Sequence, residues 1–232
     1  METLRLSFDL ILSGDAALWS IVFLSLKVSL TATVLASLIG IPVGAALAVW
    51  SFPFSRLVLV VLTTFMALPP VVVGLGVYLT LSRAGPFGAL GLLFTPGAMI
   101  IAQTILILPI VTVLTRDAVL PLHRTYRELL LSLDTPPFFT IRSLIVDARF
   151  AIATAFLAGF GRAIAEVGAV LIVGGNIDGV TRVMTTTIAL ETSKGNLELA
   201  LALGFILILM AFSVNLVIHV FSRAGARYQL TS

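Results

Sequence analysis

Cysteine is absent from the 232 residues. That excludes disulfides, thiol nucleophiles and cysteine-ligated metal centres. Histidine is almost as scarce: His123 and His219 lie far apart and lack metal-ligand spacing, so no metal site is expected. Charge is sparse as well, at 11% of residues against about 25% in a soluble domain. What is abundant is apolar surface, with 59% of residues hydrophobic. No soluble fold of this size can hide so much, so the sequence predicts an all-α polytopic membrane protein, a single transmembrane domain over 1–232 with the lipid bilayer as its solvent. The net charge of +3 carries no nucleic-acid signal in such a chain. The N-terminal stretch with Glu2, Arg5, Asp9 and Asp15 has no basic region or small-residue cleavage site, and no cleaved signal peptide is expected.

A spanning helix needs about 20 mostly apolar residues. Five stretches qualify: 28–50, 57–81, 96–115, 150–173 and 199–221, with 18–27 a candidate interfacial extension of the first. Trp19 and Trp50 then fall where aromatic belts are expected. Five spans place the termini on opposite sides. One set of exposed segments holds Arg56, Arg116, Arg124, Arg127, Arg142, Arg149, Arg223 and Arg227. The other holds Arg5, Arg83, Arg182 and Lys194, with Lys27 at its boundary. Basic residues favour the cytoplasmic side, so the N-terminus is expected outside, and segment 116–149 and the C-terminus inside.

Small residues recur every fourth position at Ala32, Ala36, Gly40, Gly44 and Ala48, and again at Ala151, Ala155, Gly159 and Ala163. Such stripes let helix backbones approach closely, either within the chain or at a subunit interface. Pro69 and Pro70 remove two helix donors inside the second span. Lipid tolerates the resulting break only where protein or a water-filled cavity satisfies the freed groups, so the pair marks either a plain kink or a bend shaping a translocation path. Arg162 and Glu166 stand four apart in the fourth span. Ionisable groups at that depth are a functional hypothesis by default, weighed here against an internal ion pair. Asn176, Asp178 and Arg182 follow in an exposed loop, and Thr185-Thr186-Thr187 are read as the start of a short re-entrant helix.

The polar segment 116–149 interrupts the apolar pattern. Tyr126, Leu129, Leu130 and Leu133 fall at i, i+3, i+4 and i+7 and form one apolar stripe. Thr125 and Glu128 have capping-box spacing, and Pro136-Pro137 reads as a stop. The expectation is a separate short helix over 125–134, too short to stand alone in water and therefore docked.

This segment resembles the cytoplasmic loop of ABC importer permeases, Glu-Ala-Ala-x3-Gly-x9-Ile-x-Leu-Pro. Glu128 matches the Glu, Leu129 and Leu130 take the Ala positions, and Asp134 takes the Gly. Leu144, Val146 and Asp147 take the Ile, Leu and Pro positions. Other stretches are similar to the molybdate, sulfate and tungstate permeases: Leu68-Pro69-Pro70 through Gly74, Ala102-Gln103-Thr104 through Pro109, and Gly161-Arg162-Ala163 through Gly168-Ala169. Gly174-Gly175-Asn176 and Thr181 through Thr186 continue the pattern, and residues 170–177 and 189–196 look most like the tungstate branch.

The resemblance implies a type I ABC importer permease in a prokaryotic cytoplasmic membrane, working as a homodimer with two ATPase subunits. An extracytoplasmic binding protein delivers an oxyanion, tungstate first, with molybdate or sulfate as the alternative. Tyr126, Glu128, Leu129, Leu130, Leu133 and Asp134 are implied at the ATPase contact. Pro69, Pro70, Arg162, Glu166, Asn176 and Arg182 are implied along the path or its gate. The chain itself is expected to hold no cofactor and no catalytic site; ATP and magnesium belong to the partner ATPase, and no Gly-Lys-Ser/Thr phosphate loop occurs here. A secondary transporter would show more spans and internal repeats. A membrane enzyme would need clustered Asp or His at an interface. A passive channel would need a filter sequence, and none stands out.

Overall fold

The computed structural model describes residues 2–50 and 53–231, with side chains over 5–50 and 53–221. Arg223 and Arg227, which enter the orientation argument, lie outside the described side chains, as does Ser51 of the expected loop. Among the described residues the regular elements are helical: α1 Glu2–Leu12, α2 Ala16–Val49, α3 Ser55–Ala67, α4 Pro70–Leu81, α5 Pro96–Ser132, α6 Pro137–Asp147, α7 Arg149–Ile164, α8 Gly168–Gly174, α9 Met184–Lys194 and α10 Leu197–Thr231. Three described helices are long and apolar enough to cross a membrane, Ala16–Val49, Pro96–Ser132 and Leu197–Phe221. The number reaches five if the broken pairs α3/α4 and α6/α7 each count as one span.

Several expected boundaries move, each for a local reason. α2 begins at Ala16, so 18–27 belongs to the same helix; Asp15 Oδ1 accepts the Leu18 N–H at 2.8 Å and caps it. The second span is divided, because Leu68 and Pro69 are both extended and Pro70 starts α4 at the position where its missing N–H costs nothing. The fourth span is not continuous over 150–173: α7 stops at Ile164 and α8 starts at Gly168.

The separate helix over 125–134 does not exist. α5 runs unbroken from Pro96 to Ser132, since the change from apolar to polar residues at Arg116 alters the helix's surroundings without supplying a stop. Thr125 Oγ1 donates to the Pro121 carbonyl at 3.1 Å, a helix-interior bond rather than a cap. The stop comes at Asp134, which is left-handed with φ 45°. Thr135 N–H donates to Leu130 O at 3.1 Å and Asp134 N–H to Leu131 O at 3.2 Å, the paired bonds of a Schellman ending. Glycine is favoured at this position because it alone has no Cβ penalty there, which accounts for the Gly of the resembling motif. Pro136-Pro137 then starts a helix instead of ending one: Pro136 is extended and Pro137 opens α6.

By its contacts the chain forms two compact units. The first comprises residues 1–32, 69–105 and 161–213. Its core includes Leu18, Val22, Met99, Val170, Val173, Met184 and Leu203, all buried. α4 lies close on α8: a β-carbon at Gly74 would come within 2.7 Å of Ala169 Cα, and one at Gly168 within 2.7 Å of Val71 Cγ2. α1 is tied to the start of α10 by Ser7 Oγ donating to Glu198 O at 2.9 Å and by the Phe8–Phe205 stack at 5.2 Å.

The second unit comprises 33–68, 106–160 and 214–232. Ala45, Ala48, Val119, Leu144, Ala148 and Ile152 form a buried cluster that joins α2, α5, α6 and α7. The small-residue stripes are used here within the chain. A β-carbon at Gly44 would lie 2.3 Å from Thr112 O, and one at Gly159 2.8 Å from Ile107 Cγ2. In lipid, where apolar burial no longer drives association, this close approach supplies the packing.

Asp134→Gly is expected to match or exceed the parent chain's melting temperature in detergent, because it relieves the left-handed residue. Asp134→Val should lower stability by about 1–2 kcal/mol. Equal melting of the glycine and valine variants would remove the backbone role of this position.

Candidate functional site

The broken end of α7 gathers several buried polar groups of the first unit, Gln103, Glu166 and Thr185 among them. The helix stops before Ala165, which frees carbonyls and, at Gly168, fresh N–H groups. In lipid each needs an internal partner. Ala163 O accepts from Gln103 Nε2 at 3.0 Å and from Glu166 N–H at 3.1 Å. Glu166 O accepts from Thr185 Oγ1 at 2.7 Å. The Glu166 carboxylate, 4% exposed, is engaged at both oxygens: Oε2 with Arg162 at 2.5 Å and Oε1 with the Ala169 N–H at 3.1 Å. It is therefore both the Arg162 ion-pair partner and the cap of α8. Arg162 is the more exposed member of the pair.

Gln103, buried on α5, meets this break with one end of its amide only; its Oε1 has no partner among the described residues. Turning the amide over would set oxygen against the Ala163 carbonyl, so the orientation is fixed. A cavity of about 10 Å³ is bordered by Gln103, Ser25, Ser29, Glu166 and Thr185. That is the lower limit of room for one water.

The following loop is stapled to α9. Asn176, left-handed at φ 51°, accepts from Thr186 Oγ1 at 2.9 Å through Oδ1. Arg182 pairs with Asp178 at 3.0 Å. The helix expected from Thr185-Thr186-Thr187 does form, as α9, but the three hydroxyls are buried and bonded inward, to Glu166 O, Asn176 Oδ1 and Val183 O. Met184 N–H donates to Ser25 Oγ at 2.8 Å, fixing the start of α9 on α2. At the end of α9, Glu191 accepts from Lys194 at 2.9 Å and from Asn196 at 2.9 Å. The Lys194 hydrogen bond, foremost, holds this carboxyl below its usual range against the opposing effect of burial. Pro69 and Pro70 sit at the start of α4, whose Gly74 face lies on α8; they serve the same packed group.

The residues expected at an ATPase contact fall in the second unit, on the last turns of α5. Tyr126 is half-buried and packs on the Val119–Leu144 cluster, so it faces inward. Glu128, Leu129 and Leu133 are exposed, the two leucines at 57% and 67%. Leu130 is intermediate, and Asp134 forms the helix stop. The expected single stripe is thus divided between core and surface. A further exposed apolar face belongs to α6. Thr140, Leu144 and Ala148 are buried with Ile141 and Ile145 beside them, while Phe138, Phe139 and Val146 point away at 70%, 53% and 54% exposure. Phe138 and Phe139 meet edge to face at 5.7 Å. Sequence reasoning passed over these two rings. Their signal was adjacent aromatics following a proline pair inside an otherwise polar segment.

Residues 40–225 match the family model described as the binding-protein-dependent transport system inner membrane component. A tungstate uptake system permease protein of Peptoclostridium acidaminophilum is 40% identical over 218 residues, 94% of this chain and 96% of the relative. A probable anion ABC transporter permease protein of Haloferax volcanii is 43% identical over 84% of this chain and 87% of the relative. A molybdenum transport system permease protein of Azotobacter vinelandii is 30% identical over 71% of this chain and 76% of the relative. With a family match over most of its length and a relative 40% identical across 94% of it, this chain belongs to the inner membrane components of binding-protein-dependent transport systems.

Proposed function

We propose that this chain is the membrane-spanning subunit of an ATP-driven importer for a tetrahedral oxyanion, tungstate in the first place. The observation that carries the reading is the 40% identity to a tungstate permease across 94% of the chain, against 30% to a molybdenum permease across 71%. Two copies form the pore, two ATPase subunits bind on the cytoplasmic side with their ATP and magnesium, and an extracytoplasmic protein delivers the anion. The N-terminus faces out and the C-terminus in, by the distribution of arginine. The chain contributes no catalytic group and no cofactor of its own.

Within this reading α6 is the element gripped by the ATPase. Its inner face is held by Leu144 and Ala148, and its outer face offers Phe138, Phe139 and Val146. Exposed aromatics are the side chains that most often anchor an interface. Leu129, Leu133 and Glu128 on α5 extend the contact, with Glu128 free to meet a basic ATPase residue. The α7–α8 break is the gate element. Arg162, partly exposed beside a carboxylate that is already fully engaged, is the cation an anion would meet, and Pro69, Pro70, Asn176 and Arg182 hold the surrounding segments. The binding protein, rather than a tight site in the pore, supplies selectivity.

Three outcomes follow. In inside-out or proteoliposome uptake by the full complex, tungstate is expected to compete better than molybdate, and both better than sulfate; a sulfate preference would refute the substrate while sparing the family. Arg162→Ala should reduce uptake well below Arg83→Ala at equal membrane abundance, and equal uptake would take Arg162 out of the path. Phe138→Ala with Phe139→Ala should cut co-purification with the ATPase by roughly tenfold or more, as for loss of an aromatic anchor. Undiminished coupling in that double variant would assign the grip to another surface.

A further inference from the structure

A second cavity, unrelated to the break in α7, lies in the second unit. It measures about 70 Å³ and is lined by Leu47, Ser55, Arg56, Leu59 and Arg116. This is several times the 10–15 Å³ that one water requires, and room enough for a phosphate group. Two guanidiniums border it. Arg116 gives one N–H to Asp117 Oδ1 at 2.8 Å and is 24% exposed. Arg56 has no ion-pair partner among the described residues. Two positive charges against one carboxylate leave the cavity net positive. Ser55 and the first N–H groups of α3 add donors at the same place, and α3 starts without a side-chain cap.

The position of these arginines on their helices says what anion is at hand. Arg116 is the first charged residue of α5 after the apolar run from Pro96 to Thr115, and Arg56 immediately precedes the apolar run of α3. Both therefore stand at the polar end of a lipid-length or lipid-facing segment, where basic side chains meet headgroups. α3 has no buried residue, and Leu57, Val60 and Val61 leave it 60%, 59% and 45% exposed. A phosphate held between the guanidiniums would set its acyl chains along that uncovered face.

We propose that Arg56 and Arg116 form a binding site for the phosphodiester of an anionic phospholipid, with the lipid's tails covering α3. Guanidinium suits a phosphodiester because its planar fork donates two parallel hydrogen bonds. A zwitterionic choline lipid carries its own cation into a positive cavity and is disfavoured. Asp117 competes with the lipid for Arg116.

The test uses the full transporter, permease with ATPase, stripped of lipid and reloaded. Native mass spectrometry and melting temperature are read with phosphatidylglycerol, phosphatidylcholine, and inorganic phosphate or tungstate alone. One phosphatidylglycerol per permease chain should survive, with a rise in melting temperature that phosphatidylcholine does not give. Arg56→Gln with Arg116→Gln should weaken phosphatidylglycerol retention by roughly thirtyfold, as expected for two surface cations. Asp117→Asn should strengthen it, so the assignment stays testable if the double variant fails to accumulate. Equal retention of both lipids, unchanged retention in the double variant, or no gain in Asp117→Asn would overturn the proposal. So would Arg-dependent stabilisation by phosphate or tungstate equal to that by the lipid, which would mark a site for free anions; filling of the α3 face by a second copy of the chain, with no lipid retained, would overturn it equally.

Discussion

A helix that stops inside a bilayer exposes backbone groups with no water to satisfy them, and the organisation of the first unit follows from how this chain answers that demand at residues 165–167. The carbonyl of Ala163 is met by Gln103 from α5, that of Glu166 by Thr185 from α9, and the new N–H at Ala169 by the Glu166 side chain. Three segments distant in sequence are thereby fixed to one point. Leaving one of these groups bare would cost several kcal/mol in an apolar medium. The ion pair of Arg162 with Glu166 is part of the same answer, since a carboxylate buried as a helix cap needs a partner for its second oxygen as well.

The second unit is governed by a different constraint, the close approach of helices. Gly40 and Gly44 admit the backbone of α5 near Thr112 and Thr115, and Gly159 admits Ile107 and Val111. That packing carries α5 onward past Arg116 with its Val119 face covered by Leu144, Ala148 and Ile152. α6 follows after a left-handed turn and a proline pair, and the chain bends by 75° into α7. The covered side of α6 is thus set by packing, which leaves Phe138 and Phe139 as its free side.

The two units reflect two uses of one apolar composition. In one, polar side chains are drawn inward to close helix breaks; in the other, small residues bring helices together and large apolar residues are left outward at α3 and α6. The α7–α8 break is held by a few side-chain hydrogen bonds, whereas α6 is held by apolar packing on one side and leaves two rings exposed on the other.

Much of this was legible in the residues. Composition determined a helical membrane protein, because apolar content and charge do not depend on how the helices are arranged. Pro69-Pro70 announced a break, and the spacing of small residues announced close packing, since both act through the backbone nearby. The aspartate standing where the resembling motif has glycine was visible in the residues, but its left-handed backbone was seen only in the fold. The rest needed tertiary structure. Whether polar residues after Arg116 end a helix depends on what covers the other face, and Val119, Leu144 and Tyr126 decide it. Whether Pro136-Pro137 ends a helix or begins one depends on the direction the chain is free to take after Asp134. The role of Glu166 as cap, and of Gln103 and Thr185 as its company, joins groups dozens of residues apart. Sequence gives the chemistry of each group, but only packing brings the unsatisfied donor to the unsatisfied acceptor.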